Sequence, residues 1–226
     1  MKNLVIIPAR IGSKSIPKKN IKLLNNKPLI SYSIEYALRS NIVDKIIVST
    51  DSDEIAAIAK KAGAEVPFIR PKNLALDNVQ DFPVALHALK KIENITNEKF
   101  DYIIWLRPTS PFRPEGLIEK GIEAMEKNPE ATSLRAVTIS YEHPYRQWIK
   151  EGDFINGIFN DDELYNWPRQ KLPEVYYQTG DIEIVRRNTL LKGSITGNKV
   201  LPILINRDEL LDIDDESDWE RAKNHR

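Results

Sequence analysis

Two kinds of apolar pattern alternate along the first two thirds of the chain: short continuous apolar runs, and longer segments with apolar residues at helical spacing. Apolar runs without polar alternation predict buried strands at residues 4–7, 45–49, 65–68 and 102–106. Apolar residues at helical spacing predict helices at residues 28–39, 53–62, 82–92 and 115–127. Unalternated strands that are interleaved with helices are typical of a parallel sheet covered on both faces. We therefore predict an α/β fold with a doubly wound, mostly parallel sheet.

The pattern changes after about residue 140. Residues 141–178, called the excursion below, are rich in aromatic residues without a helical period. Its aromatic residues are Tyr141, Tyr145, Trp148, Phe154, Phe159, Tyr165, Trp167, Tyr176 and Tyr177. We interpret it as a β-rich arm that makes a dimer contact, or alternatively as an aromatic core lobe. Strands at 182–185 and 201–205 and a helix at 215–224 then complete a single domain spanning residues 1–226.

Composition narrows the function classes. Of the 226 residues, 41% are hydrophobic and 29% charged, which is ordinary for a globular domain with a full core. Basic and acidic residues balance at 33 each, so we expect neither a nucleic-acid partner nor a membrane partner. The chain has no cysteine, which excludes disulfides and thiolate metal sites. The first apolar run is too short for a signal peptide, and we expect a cytoplasmic location.

The loop after the first predicted strand concentrates positive charge. It carries four cations, namely Arg10, Lys14, Lys18 and Lys19. Gly12 allows close approach of the backbone to a ligand, and Ser13 adds a hydroxyl. Ligands of open α/β sheets bind at the carboxyl ends of the strands, so this position favours a phosphate site over a solvated basic loop.

Three later segments carry further candidate chemistry. Residues 106–113 follow a buried strand and combine two arginines with two hydroxyls and rigid prolines, which favours binding of a carboxylate or phosphate over a purely structural turn. Asp212 and Asp214 lie on one side of an extended segment, an arrangement that fits Mg²⁺. Residues 169–181 mix a cation, amides and hydroxyls, as a polyol site requires, although an ordinary loop is the alternative.

The order of six motifs resembles the acylneuraminate cytidylyltransferases, the family of the CMP–sialic acid synthetases. The opening loop A-R-x-G-S-K-x-[IL]-P-x-K-N corresponds to Ala9 through Asn20. Later motifs are I-I-V-S-T-D at 46–51, R-P-x-x-L-A-x-D at 70–77, P-T-S-P at 108–111, P-R-Q-x-L-P at 168–173 and D-I-D at 212–214. The resemblance covers nearly the whole chain. It implies the nucleotide-diphospho-sugar transferase fold and a homodimer formed through the excursion.

The resemblance also implies roles for individual residues. Arg10, Lys14 and Lys19 would be catalytic cations. The nucleotide-binding residues would be Ala9, Arg10, Gly12, Ser13, Asn20, Arg70, Asp77 and Asp81. The acceptor would contact Arg107, Thr109, Ser110, Arg169, Gln170, Thr179 and Gly180. Asp212 and Asp214 would hold Mg²⁺.

Four positions differ from the common family pattern. Ser15 replaces a frequent glycine, Arg107 a glutamine and Thr179 an asparagine, and Asp81 stands where small hydroxyl residues are common. Two of these positions concern the acceptor and one concerns the base. The resemblance implies an enzyme that transfers CMP from CTP to a nonulosonic sugar acid and releases pyrophosphate, and the four differences leave the identity of the sugar and of the base open. The open alternatives are a sugar-1-phosphate nucleotidyltransferase that uses CTP or GTP and a non-catalytic nucleotide-binding protein.

Overall fold

The computed structural model describes residues 1–159 and 163–225. Its strands are β1 (Asn3–Pro8), β2 (Leu23–Leu24), β3 (Lys27–Pro28), β4 (Lys45–Ser49), β5 (Tyr102–Trp105), β6 (Ser133–Ile139), β7 (Trp148–Glu151), β8 (Phe154–Gly157), β9 (Tyr176–Arg186) and β10 (Val200–Leu204). Its α-helices are α1 (Leu29–Leu38), α2 (Asp53–Lys61), α3 (Asp81–Thr96), α4 (Leu117–Lys127), α5 (Arg187–Leu191) and α6 (Glu216–Lys223).

Six strands form the central sheet, in the order β10-β6-β9-β5-β1-β4. Strand β9 runs antiparallel to both of its neighbours, and the other neighbouring pairs are parallel. The carboxyl ends of β1, β4 and β5 therefore meet at one edge of the sheet, where the loops that follow them come together.

Both faces of the sheet are covered. Val5 and Ile7 point into a core cluster that includes residues of α1, α2 and α4, whereas Leu4 and Ile6 point into a second cluster with α3 and α5. All four side chains are fully buried, which explains the unalternated apolar run in β1. The predicted doubly wound, mostly parallel α/β fold is confirmed.

Two local predictions need correction, and one strand of the central sheet was not predicted. Residues 65–68 make a single bridge, from Glu65 to Ile47, because Pro67 has no N–H to extend a ladder. Helix α4 begins at Leu117 rather than at 115, since Gly116 takes a left-handed φ of 74° that no helix continues. Strand β6, which contains Arg135, was not predicted at all.

Up to residue 175 the excursion is a largely exposed arm in the part of it that the structure describes, whereas its residues 176–178 already belong to β9 of the central sheet. Its strands β7 and β8 pair as a hairpin, and every residue of the hairpin except Gly157 is exposed. Phe154 is 78% exposed at the hairpin. None of the buried core clusters among the described residues contains an aromatic side chain of this segment, so the predicted β-rich arm describes it better than a core lobe.

Within the described residues, none of the helices combines the length and the apolar character that crossing a bilayer requires.

A buried ion pair joins α3 to α5, two helices that are far apart in the sequence. The Glu93 side chain is only 4% exposed and accepts hydrogen bonds from Arg187 Nε at 2.6 Å and Nη2 at 2.8 Å. Burial alone would raise the pKa of Glu93, but the hydrogen bonds from Arg187, Lys99 and the Phe100 N–H together hold the pKa below its usual value. The ionised carboxylate is therefore the form that the fold stabilises.

We expect Glu93→Gln to lower the free energy of unfolding by about 1–3 kcal/mol at neutral pH, because Arg187 loses its charged partner. A depressed carboxyl pKa contributes stability above the unfolded-state value, and that contribution disappears as the pH falls through the folded-state value. The difference between wild type and variant should therefore shrink in acid. Urea unfolding at neutral and acid pH measures it, and an equal difference at both would contradict the ionic role.

Candidate active site

A cavity of about 760 Å³ opens at the carboxyl edge of the sheet. Five segments far apart in sequence supply its walls. The loop after β1 contributes Arg10, Ser13 and Lys14; residues 74–84 contribute a largely apolar side; and the ends of β5 and β9 contribute a polar side. Asp212 and Asp214 from the chain's last loop complete the lining. Cations of the first loop and the two carboxylates thus share one cavity, as the nucleotide-site hypothesis requires.

Apolar packing joins the first loop to the acidic segment. Ile16 is fully buried in a small cluster with Leu211, Ile213 and Trp219. The Ile213 N–H donates to the Thr109 carbonyl at 2.9 Å, so the segment runs extended beside the loop after β5. With Ile213 fixed in the core, Asp212 and Asp214 both line the cavity, as their spacing predicts.

Lys19 forms a second link between the same two segments. Its side chain is nearly buried, and Nζ donates to the Ile213 carbonyl at 2.7 Å and to the Asp214 carbonyl at 3.2 Å. The adjacent Asn20 donates from Nδ2 to the Arg10 carbonyl at 2.8 Å and so holds the loop in its folded shape. Lys19 therefore lines the cavity and also fixes the backbone of the acidic segment through its ammonium group.

Asp77 bridges the two cations at the loop's tip. Its carboxylate lies 2.7 Å from Arg10 Nη1 and 2.6 Å from Lys14 Nζ. The hydrogen bond from Lys14, followed by the charges of Lys14 and Arg10, holds the pKa of Asp77 below its usual value. A phosphate that binds both cations therefore competes with Asp77 for them.

Arg70 presents unpaired donors beneath the apolar side. It is 4% exposed, lines the cavity, and donates only from Nη1, to the Leu74 carbonyl at 3.5 Å. Its Nε and Nη2 are buried and have no partner among the described residues. Burial lowers the pKa of Arg70, which shows how poorly its charge is solvated. The Nε and Nη2 groups of Arg70 are therefore suited to donate hydrogen bonds to acceptor atoms of a ligand.

Arg107 joins the apolar side to the polar side. Its Nη2 lies 2.6 Å from Asp81, the first residue of α3, and 2.6 Å from Glu183 in β9. Glu183 also pairs with Arg135, its cross-strand neighbour in β6. Arg107 and Asp81 line the cavity, whereas Glu183 and Arg135 lie behind it.

A buried arginine fixes the loop after β5. Arg113 donates from Nε to the Asp181 carbonyl and from Nη2 to the Arg107 carbonyl, both at 2.5 Å. Burial lowers the pKa of Arg113 to about 10. Gly180 takes a left-handed φ of 80° beside this loop, and a β-carbon there would lie 3.6 Å from the Asp212 carboxylate. The chain therefore approaches Asp212 closely.

Most of the predicted site residues meet in the cavity. Those that line it are Arg10, Ser13, Lys14, Lys19, Asn20, Arg70, Asp77, Asp81, Arg107, Thr109, Thr179, Gly180, Asp212 and Asp214. Ser110 is buried just behind it and donates to Asp212 Oδ1 at 3.3 Å. Ala9 is fully buried, and Gly12 is exposed in the loop without lining the cavity.

Arg169 and Gln170 lie outside the cavity in this single chain. They occupy one 3-10 turn of the excursion, and the Arg169 guanidinium lies 5.4 Å from the Tyr141 ring centroid. Their acceptor role stays a prediction.

Sequence reasoning missed other members of the site. Leu74, Leu76, Val79 and Gln178 line the cavity, and Glu183 and Arg135 support Arg107. Of these residues, Glu183 could have been recognised from the sequence, because a charged residue in the middle of an otherwise apolar strand indicates a buried ion pair.

We expect Asp77→Asn to tighten binding of inorganic pyrophosphate about threefold to tenfold, because Arg10 and Lys14 no longer pair with a carboxylate, and exposed ion pairs contribute up to about 1 kcal/mol each. Titration calorimetry at low salt measures the change. Glu54→Gln is the matched control, since Glu54 pairs at 2.7 Å with Lys18, a cation of the same loop that does not line the cavity. Weaker binding by Asp77→Asn would mean that Asp77 instead helps to hold the ligand.

Comparison with known proteins identifies the family. A family model described as "Cytidylyltransferase" matches residues 4–199. The pseudaminic acid cytidylyltransferase of Campylobacter jejuni is 37% identical over 180 residues, which are 80% of this chain and 76% of that protein. The CMP-N,N'-diacetyllegionaminic acid synthase of Legionella pneumophila is 34% identical over 97% of this chain and 94% of that protein.

A solved structure shows the same fold at lower identity. It is a CMP:2-keto-3-deoxy-manno-octonic acid synthetase complexed with CTP, which superposes with a TM-score of 0.74 over 99% of this chain and 98% of that chain, at 16% identity. Together with the motifs from Ala9 to Asp214, these matches show that the chain belongs to the cytidylyltransferase family.

Proposed function

We propose that this enzyme transfers CMP from CTP to a nonulosonic, sialic-acid-like sugar and releases pyrophosphate. The observation that carries the proposal is the shared cavity, which gathers the loop cations, the unpaired donors of Arg70 and the Asp212–Asp214 carboxylates at the edge of the sheet. The names of the relatives support the acceptor class, because they act on pseudaminic and legionaminic acids.

The reaction is an in-line displacement at phosphorus. A hydroxyl oxygen of the sugar acid attacks the α-phosphorus of CTP, the bond from that phosphorus to the pyrophosphate oxygen breaks, and the hydroxyl proton is released. Arg10 and Lys14 exchange Asp77 for phosphate oxygens and offset the charge that moves to the leaving pyrophosphate. The chain supplies positioning and charge without a covalent intermediate.

The acidic segment fits Mg²⁺. Asp212 and Asp214 line the cavity together, and burial followed by the charge of Asp212 raises the pKa of Asp214. No cluster of three or more acidic, histidine or cysteine side chains within 1–159 and 163–225 forms a complete metal cage. Two carboxylates with room for water and phosphate oxygens match the preference of Mg²⁺ for partial protein coordination. Bound there, Mg²⁺ would neutralise charge on the phosphate oxygens.

The alternatives separate by substrate. A sugar-1-phosphate acceptor would place a second phosphate near Arg107, and a carboxylate such as Asp81 can accept from the N–H groups of guanine as well as from the amino group of cytosine. A non-catalytic nucleotide-binding protein would consume no CTP. The matched family and its named members favour transfer of CMP to a sugar acid. The cytoplasmic location stays a prediction.

We expect pyrophosphate release with CTP, Mg²⁺ and a nonulosonic acid, and a fall in turnover of about 100-fold or more in Lys14→Ala and in Asp212→Asn, the scale of losing one preorganised charged contact. A screen of pseudaminic, legionaminic and sialic acids and sugar phosphates against the four NTPs measures both.

Lys18→Ala is the control, because Lys18 belongs to the same loop and pairs with Glu54 away from the cavity. A strong preference for GTP would contradict the choice of CTP. Turnover at the wild-type rate in Lys14→Ala and Asp212→Asn would contradict the assigned roles.

We also propose that two copies associate through the excursion. The hairpin exposes Phe154 at 78% and Ile155 at 58%, and Trp148 and Ile149 add apolar surface on the paired strand. The hairpin register places Trp148 and Ile155 on one face and Ile149 and Phe154 on the other, and exposed apolar side chains concentrated in this way favour an interaction site.

We expect the wild-type chain to sediment as a dimer and the double variant Phe154→Asp/Ile155→Lys to sediment as a monomer, because charges at the centre of an apolar interface lose their hydration without a partner. Analytical ultracentrifugation measures it. Ile95→Asp is the matched control, since Ile95 is 55% exposed on α3, outside the hairpin. A wild-type monomer at all concentrations would contradict the proposal.

A further inference from the structure

Four charged side chains form a continuous series from the cavity into the sheet. Asp81 pairs with Arg107, Arg107 with Glu183, and Glu183 with Arg135. The two ends differ in exposure: the Asp81 and Arg107 side chains are 36% and 29% exposed, whereas those of Glu183 and Arg135 are 4% and 11% exposed. The series therefore lines the cavity with Asp81 and Arg107, and its buried Glu183 also accepts a hydrogen bond at 3.5 Å from Gln178, another cavity residue.

The buried half of the series is costly for the fold. Glu183 and Arg135 face each other on neighbouring central strands, and burial lowers the pKa of Arg135 to about 10. An apolar pair of similar volume at such a position is often neutral or stabilising. Stability alone therefore does not account for a charged pair here, and the charged group that the pair contacts at the cavity is Arg107.

Arg107 lies beside the reaction centre implied by the proposed function. A β-carbon built on Gly180 would be 3.7 Å from Arg107 Cδ and 3.6 Å from Asp212 Oδ2. The side chains of Arg107 and Asp212 therefore approach the same point of the cavity wall. In the ring form of a 2-keto sugar acid, the carboxylate and the anomeric hydroxyl share one carbon. A hydroxyl that reacts near Asp212 brings its carboxylate within reach of Arg107.

We propose that Arg107 binds the carboxylate of the acceptor and that Glu183, held by Arg135, is the positioning residue that fixes its guanidinium. This inference rests on the proposed function. Both contacts of Arg107 use Nη2, so Nη1 is left to donate a charged hydrogen bond to the carboxylate. Glu183 and Asp81 together fix the orientation of the guanidinium through Nη2.

The first test separates the two substrates. We expect Glu183→Gln to raise KM for the sugar acid about tenfold or more, the scale of a charged hydrogen bond, while KM for CTP changes less than about threefold. The affinity for CTP alone, measured by calorimetry, should also stay within about threefold. Arg135→Lys keeps a positive charge beside Glu183, and it should raise KM for the sugar acid by a smaller factor while KM for CTP stays unchanged. This second variant tests the proposal even if Glu183→Gln folds poorly.

A double-mutant cycle then distinguishes positioning from an independent effect. If Glu183 acts through Arg107, the pair Arg107→Gln/Glu183→Gln should show the same acceptor KM as Arg107→Gln alone, whereas independent effects would multiply. Glu93→Gln is the matched control: it removes a carboxylate of equal burial from another ion pair, away from the cavity, and should lower stability without splitting the KM values.

The second test uses the acceptor itself. Wild type should use the carboxamide analogue of the sugar acid at least about tenfold less efficiently than the acid, since a neutral amide forfeits the charged contact, whereas Glu183→Gln should discriminate less than about threefold. Equal increases of both KM values, or full discrimination by Glu183→Gln, would overturn the positioning role. If wild type releases no pyrophosphate with CTP and any nonulosonic acid, the proposed function itself fails, which is a separate result.

Discussion

The site depends on one junction between the two ends of the chain. Ile16 packs against Leu211 and Ile213 while Lys19 Nζ binds the Ile213 and Asp214 carbonyls, across 194 and 195 residues of sequence. Without this junction the cations of the first loop and the carboxylates of the last loop would belong to separate surfaces. The apolar contact holds the first loop against the acidic segment, and the hydrogen bonds of the buried ammonium fix the orientation of the two segments. The cavity is a consequence of that junction.

Charge balance is organised in two different ways around the cavity. At the mouth, Asp77 neutralises Arg10 and Lys14 through exposed contacts that a phosphate can replace at little cost. Deeper in the sheet, Glu183 and Arg135 neutralise each other in surroundings where neither can rehydrate. The first arrangement suits groups that must exchange partners during a reaction, and the second suits groups that must hold still.

The sequence predicts the parts of this fold whose signal is local. Strands β1 and β4 are continuous apolar runs because both faces of the sheet are covered, and Ser52 caps α2 as its residue type suggests. Strand β6 escapes prediction because Arg135 interrupts its apolar pattern, and only the three-dimensional pairing with Glu183 explains a charge there. Motif order brought Lys14 and Asp212 to one site correctly, but the partners of Asp77, Arg107 and Lys19 are set by packing over tens to hundreds of residues. No local pattern encodes those partners.

The small cluster behind the acidic segment has a consequence for motion. Trp219 of α6 is almost fully buried against Ile16, and Lys22 Nζ lies 4.6 Å from the centre of its ring. Any shift of the first loop therefore displaces neighbours of this indole, although it lies outside the cavity. Helix α6 thus carries a natural fluorophore whose emission would report a movement of the first loop.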